Sequence, residues 1–517
     1  MIKNYLNAFL ASAFCASLLL ASFSSLAYAQ GGTKTPQYVD TGEKVFDFGS
    51  EPIRYIENDR VKVGFDLSIG GAVVYLEDKA NKSGNMINSF DWGRQIQLSY
   101  YSGPRPFIGP NGEQPSPSWA GLGWNPIQSG DCGGYGSRVL EFEASNDKAF
   151  VKTRPMLWPH SGVPAECVFE CRYQLTDNGF QLDATIINNR SDKKDYGGNS
   201  QETPALYTNA PWYKLVSYIG DKPYENEPVT VVVDKGDGKG WPWVYYYTPE
   251  SWSALVNDDN FGVGVYQPFS TRTTAGFHGG DAAKGRPLGT KDGPTGYIAP
   301  LETTILDWNI KRTYRATFIV GSLDEIRKTV YELAKENYQA TPEWVFESDR
   351  RNWVYANATD EGFPIKGALK INLNPKINSV ALSPQTFWKA ENAKKLEIEL
   401  ALKDDLVSKD GAKIDGAKID DELTIKLVPV APSDLVDYLG WSEGDKDAAK
   451  DRAEKAKKYP DRPALAVKAR VKFDETSRVV SVDLSQVEGY EGGFKQLEIV
   501  FPKRAGKAIV SRVGFVK

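Results

Sequence analysis

Tyr55-Ile56-Glu57-Asn58, then Val61-Lys62-Val63-Gly64-Phe65-Asp66-Leu67, a break at Gly70-Gly71, and Ala72-Val73-Val74-Tyr75-Leu76: apolar and polar residues alternate here with a period of two. That period sends successive side chains to opposite faces of an extended chain and reads as strand, turn, strand. The same reading extends outward to residues 95–101, 139–143, 149–155, 166–175 and 180–188. It resumes at 229–233, 244–247, 252–256, 262–266, 303–308 and 314–319. Many short strands separated by Gly, Pro and Asn turns predict a large antiparallel β-sandwich rather than an α/β fold.

One segment breaks the pattern. In residues 322–336, Leu323, Ile326, Val330 and Leu333 recur at helical spacing behind Ser322, an N-cap residue. This helix is expected to close a first domain over residues 36–338. Strand-like runs return at 367–373, 396–402, 422–427, 464–473, 479–484, 497–501 and 509–516, predicting a second β-sandwich, jelly-roll-like, over 352–517. Within it, Gly411-Ala412-Lys413-Ile414-Asp415 is repeated at once as 416–420. The charged, Ala-rich residues 441–459 read as an exposed helix; both stretches are expected to be solvated surface.

Composition narrows the class. Lys3, an apolar run from Ala8 to Ala21 and the small-residue site Ala27-Tyr28-Ala29 have the form of a secretory signal over residues 1–29. Cleavage after Ala29 and a secreted or periplasmic location follow as expectations. The apolar run is too short for a membrane anchor, so no transmembrane anchor is expected. A net charge of −5, with no basic face, argues against a nucleic-acid partner. Beyond Cys15 only Cys132, Cys167 and Cys171 remain, so at most one disulfide and one thiol are expected. Cys167 and Cys171, four apart on a predicted strand, face one side and are too far apart for an easy bridge.

The richest chemistry lies between Asn88 and Tyr135. Trp92, Tyr100, Tyr101, Trp119, Trp124 and Tyr135 offer flat faces, interleaved with Asp91, Arg94, Gln95, Gln97, Asn125, Gln128 and Asp131. Sugars call for that mixture, because their C–H faces stack on rings while their hydroxyls take planar hydrogen-bonding partners. A polysaccharide or oligosaccharide ligand is the expectation.

The hairpin quoted above, continued through Asn85-Met86-Ile87-Asn88, resembles the first hairpin of galactose-mutarotase-like β-supersandwich proteins. The resemblance implies a supersandwich for the first domain and an activity drawn from epimerases, glycoside hydrolases, polysaccharide lyases or sugar-binding domains. Epimerases pair histidine acids with a glutamate base. This chain holds only His160 and His278, neither in such a motif. A β domain after the supersandwich looks more like a polysaccharide-degrading enzyme with an accessory carbohydrate-binding module.

Glycoside hydrolysis needs two carboxyl groups across the scissile bond, one kept protonated by its surroundings. Glu202, in Gln201-Glu202-Thr203-Pro204-Ala205-Leu206-Tyr207-Thr208-Asn209 before Pro211-Trp212-Tyr213, is the first candidate. Asp91 beside Arg94 and Asp131 in a glycine-flanked loop follow; Asp258-Asp259 reads mainly as a hairpin turn. Trp92, Tyr100, Trp124, Asn125, Gln128, Tyr207, Asn209, Trp212 and His278 are the expected substrate-binding residues. β-Elimination on a uronic-acid glycan, the alternative, takes a base such as Tyr101 or a histidine and a cation such as Arg94 or Arg105. Alternation places Tyr100 and Tyr101 on opposite faces, so at most one joins a given site. A non-catalytic glycan-binding protein is the third reading. No cofactor motif and no metal-ligand spacing is present. A structural calcium has no EF-hand-like spacing to support it.

Overall fold

The computed structural model describes residues 36–88, 93–234, 244–278, 295–405, 420–430, 436–438 and 462–517, with the backbone alone at 233, 234, 278, 295, 420 and 436–438. The expected signal segment, the duplicated pentapeptide up to residue 419 and residues 441–459 lie outside this set.

The quoted stretch folds as read. Ile53–Glu57, Val61–Asp66 and Ala72–Asp78 form a three-stranded antiparallel sheet. Between the last two, Gly70 takes φ +68°, and a Cβ there would lie 1.9 Å from the Gln128 carbonyl oxygen. Only glycine fits that turn.

Two larger sheets face each other across a common core. The nine-stranded sheet runs, edge to edge, through Thr230–Asp234, Lys214–Ser217, Trp252–Val256, Phe261–Tyr266, Lys311–Ser322, Gly179–Asn188, Cys167–Thr176, Lys148–Arg154 and Arg138–Ala144. Period-two alternation explains its inner face: Cys167, Phe169, Cys171, Tyr173 and Leu175 of one strand pack with Phe180, Leu182, Ala184 and Ile186 of its neighbour. None of Cys132, Cys167 and Cys171 forms a disulfide. The two strand cysteines share the core side, as alternation requires.

The eight-stranded sheet runs through Val436–Tyr438, Val244–Tyr247, Arg272–His278, Thr295–Thr304, Asn199–Thr208, Gln97–Ser99, Pro126–Ile127 and Met156–Leu157. Two expectations change here. Residues 303–308, read as a strand, begin with the end of Thr295–Thr304 and then leave the sheet. Ile305 and Leu306 are apolar because they plug the core, and Ile310 N–H closes a turn on the Asp307 carbonyl. Asn199–Thr208, which lies outside every stretch read as a strand, is a ten-residue strand.

The helix Leu323–Asn337 starts as predicted. Ser322 Oγ accepts from Glu325 N–H at 3.3 Å, and Glu325 Oε2 accepts from Ser322 N–H at 2.9 Å. Its buried Ile326 and Val330 seal Trp252, Ala254 and Ile319 on the outer face of the nine-stranded sheet.

Residues 343 onward build two six-stranded antiparallel sheets around a second core that includes Trp353, Trp388, Ile398, Phe515 and the cross-strand pair Ile425 and Ile499. The short strand Val436–Tyr438 from this part of the chain pairs with Val244–Tyr247 and extends the eight-stranded sheet. No helix among the described residues is long and apolar enough to cross a membrane.

Candidate functional site

Glu202 sits on the strand Asn199–Thr208, where its register partners are Leu301 on one side and Ser99 on the other. The pairing slips between Glu202 and Leu206. Leu206 packs in the core, whereas Glu202 and Tyr207 lie on the face turned away from it. Three hydroxyls converge on the Glu202 carboxyl. Tyr297 Oη donates to Oε1 at 2.7 Å, and the hydroxyls of Tyr101 and Ser99 also hydrogen-bond it. Burial pushes the Glu202 carboxyl above the usual carboxylate range, and the three hydroxyl donors offset only part of that shift.

The positions of the tyrosines have local causes. Gln201, fully buried, clamps the backbone of Tyr101 with both ends of its carboxamide: Tyr101 N–H donates to Oε1 at 2.7 Å and Nε2 donates to the Tyr101 carbonyl at 2.9 Å. The clamp fixes the Tyr101 ring beside the neighbouring Glu202. Tyr297 is the register partner of Tyr207, and their rings lie 4.7 Å apart at 33°. Burial and the Glu202 charge hold the Tyr101 and Tyr297 phenols well above their ordinary range, so both are neutral donors. Arg105 contributes a positive charge near Tyr101 while its Nη2 bonds Asn199 Oδ1 at 3.0 Å. Between the ring pair and Glu202 the sheet surface is made of small residues, Ala205 and Ala299.

Of the residues read from sequence, the structure therefore brings Glu202, Tyr101 and Tyr207 together. Asp91 and Trp92 lie outside the described residues, as does the His278 side chain. Arg94 is half-buried after Gly93, where an added Cβ would meet the Trp158 ring at 2.6 Å. Gly93 is tied to Gln97, whose strand neighbour is Ala205.

The remaining candidates are placed inside the fold, where a ligand does not reach. Tyr100 is wholly buried against Phe169, facing away from Tyr101 as alternation demands. Trp124 is core and lies over Arg190, at 5.3 Å. Asn125 bonds the Tyr100 carbonyl at 2.8 Å. Gln128 ties Gly70 and Gly71 to Leu98 N–H. Asn209 reaches the Asn85 carbonyl at 3.1 Å, and Trp212 joins the main core. These amides satisfy buried backbone groups, which explains why a stretch suited to sugar is also suited to a core. Asp131 accepts N–H bonds from Gly133, Tyr135 and Gly162, at 2.8, 3.0 and 2.6 Å, and so organises two loops. His160 is buried against the Phe107 carbonyl at 3.2 Å, its pKa lowered by burial.

Sequence reasoning missed Tyr297, Ser99 and Gln201. Gln201 carried a usable signal, as a polar residue next to the chosen carboxylate in sequence, whereas Ser99 is beside it only through strand pairing. Tyr297 carried none until the pairing of its strand was known. Among the described residues no group of three or more His, Cys, Asp or Glu is arranged to hold a metal ion.

The geometry defines a mostly-β protein with a carboxyl of raised pKa, held by three hydroxyls, on a sheet face. No known protein family matches the chain, and no curated protein matches it. Solved structures similar to it include a galactose mutarotase-like protein from Lactobacillus casei, 14% identical over 52% of this chain and 99% of that one, TM-score 0.34. Another galactose mutarotase-like protein, from Clostridium acetobutylicum, is 9% identical over 52% and 95%, TM-score 0.33. A 4-alpha-glucanotransferase from Thermococcus litoralis is 11% identical over 55% and 42%, TM-score 0.32. The similarity to the galactose mutarotase-like structures covers about half of this chain at low identity.

Proposed function

We propose that this protein is a secreted carbohydrate-active enzyme in which Glu202 transfers the proton. The observation that carries the reading is the Glu202 carboxyl itself, half-buried on a sheet face, raised in pKa and held by the hydroxyls of Tyr297, Tyr101 and Ser99. A carboxyl whose pKa is raised holds its proton to higher pH than an ordinary carboxylate, which suits a general acid to a glycosidic oxygen. In glycoside hydrolysis, the leading reaction, Glu202 gives its proton to the leaving oxygen as the C1–O bond breaks. As that bond breaks, a second carboxylate either activates a water that attacks C1, or attacks C1 itself to form a glycosyl ester that water then hydrolyses with Glu202 taking the proton. Asp91 is the assigned second carboxylate, on sequence grounds. Tyr207 and Tyr297 supply the stacking surface, and residues 352–517 are read as an accessory carbohydrate-binding module.

One observation favours β-elimination instead: tyrosines and Arg105 gather around a single described carboxylate. Against it, the raised phenol pKa values make Tyr101 and Tyr297 better donors than bases. Incubating the purified protein with neutral and uronic-acid polysaccharides separates the readings. Reducing ends without the ultraviolet absorbance of an unsaturated sugar support hydrolysis, and both signals together support the lyase. Neither signal, with a glycan still bound, replaces the enzyme by a capture protein.

A further inference from the structure

A cleft of about 630 Å³ opens where the first sandwich meets the second, within the range of ligand-binding pockets. Its walls come from the sandwich end around Gln267–Thr271 and Lys311–Arg315, from residues 337–352, and from residues 384–387 of the second unit. It is separate from the Glu202 cluster. Glu302, which lines the cleft, follows Leu301, the register partner of Glu202, and adjacent strand residues point to opposite faces.

Two features set the cleft apart. First, five lining residues hold left-handed backbone conformations without being glycine: Tyr224 at φ 64°, Ser251 at 57°, Phe269 at 69°, Arg351 at 49° and Asn352 at 60°. For a bulky aromatic such as Phe269 this conformation is strained, and such strain gathers at ligand sites. Second, Phe269 is 54% exposed and Tyr338 is 38% exposed. The strained backbone thus holds an aromatic ring out toward solvent rather than into a core.

The charges of the cleft are largely neutralised from within. Arg312 pairs with Glu302, Arg315 with Asp183 at 2.6 Å, and Arg350 with Asp307 and Asp360. Asp349 pairs with Arg351 at 3.9 Å and Glu343 with Arg512 at 2.5 Å, while Asn352 Oδ1 accepts from Arg312. What remains to meet a ligand is two exposed rings, Lys311, and the amide groups of Asn352 Nδ2 and Gln385. That combination suits a hydroxyl-rich, uncharged ligand. We propose that the cleft is a second carbohydrate site, binding a neutral oligosaccharide on Phe269 and Tyr338 at the junction of the two units.

The test is binding of neutral hexasaccharides (β-1,4-glucan, β-1,3-glucan, α-1,4-glucan, β-1,4-mannan and β-1,4-xylan) to the full chain carrying Glu202→Gln. At least one should bind, and Phe269→Ala and Tyr338→Ala should each weaken it at least tenfold. Phe269→Gly distinguishes ligand contact from a structural role: it relieves the strained φ, so Tm should hold or rise while binding is lost. Failure of every hexasaccharide to bind overturns the proposal, as does equal binding by the Phe269 variants and their parent. Loss or persistence of turnover in Glu202→Gln judges the Glu202 reading alone, since Phe269 does not touch that site.

Discussion

Tyr297 donates its phenol hydrogen to Glu202 Oε1 across 2.7 Å, from the strand that pairs with the one carrying Glu202. The bond favours the ionised carboxylate, while burial favours the neutral acid, and burial is the larger effect. The carboxyl is thereby poised rather than simply charged.

Glu202→Gln should abolish turnover of any glycan the protein cleaves, with Tm unchanged or higher at neutral pH because a desolvated charge is removed. For a required acid, activity falls as pH rises through the folded pKa. Tyr297→Phe removes one donor to the carboxylate, so that alkaline limb should move up by about 0.7 pH unit, the equivalent of a hydrogen bond of about 1 kcal/mol. Turnover assays and thermal melts of Glu202→Gln, and pH–rate profiles of wild type and Tyr297→Phe, check these expectations. An unmoved limb would remove Glu202 from the acid role.

Much of this fold was legible because alternation is strict where one face of a strand is buried. Cys167–Thr176 and Gly179–Asn188 are such strands, and the helix announced itself through Ser322 and its apolar spacing. The strand carrying Glu202 was not legible. Its register slips between Glu202 and Leu206, Pro204 interrupts it, and Gln201 and Thr203 are buried polar residues, so period two fails in the stretch that matters. Trp124 and Trp212 show the converse. A ring beside amides reads as a sugar platform, yet their amide neighbours Asn125 and Asn209 satisfy buried carbonyls. Only pairing across strands separates the two cases.

Asp131 offers a test of a structural carboxylate. Burial raises its pKa from 3.8 to about 6 against the pull of its backbone donors. Between those values the folded protein keeps a proton that the unfolded chain has released. Stability should therefore fall as pH rises from about 4 to about 6, and stay level above. Asp131→Asn turns an amide N–H₂ toward a backbone donor and should cost about 2 kcal/mol at pH 7. Catalysis per folded molecule should be unchanged. Thermal melts across pH, paired with specific activity, decide the matter.

Arg350 ties the two units through carboxylates on both sides. Nη2 lies 2.9 Å from Asp307 Oδ1, and Nε lies 2.6 Å from Asp360 Oδ2, all three side chains being nearly buried. Burial alone would raise the Asp360 pKa, but the Arg350 bonds and charge hold it below the ordinary range. Its contribution is present above the unfolded pKa and is lost as pH falls. Arg350→Met leaves two buried carboxylates without a cation and should cost about 3–5 kcal/mol at pH 7. Protonation relieves that penalty, so the Tm gap to wild type should narrow from pH 7 to pH 4.

Tyr100 and Tyr101 are adjacent in sequence and opposed in role, and the phenol oxygen of each can be removed by one substitution. Tyr100 Oη is buried in the main core without a hydrogen-bond partner, near the Arg312–Glu302 pair. Burying an unpaired hydroxyl costs free energy, so Tyr100→Phe should stabilise the fold by about 1 kcal/mol and leave activity alone. Tyr101 Oη is shared with Ser99 and Glu202. Tyr101→Phe removes a donor to the carboxyl from the other side of Tyr297, so turnover should fall roughly 10-fold and the alkaline limb should rise as it does for Tyr297→Phe. The pair controls for aromatic volume, since both substitutions keep the ring. Equal effects of the two on activity would mean that the Glu202 face is not where the sugar reacts. An effect at Tyr101 alone would tie the chemistry to that face of the sheet.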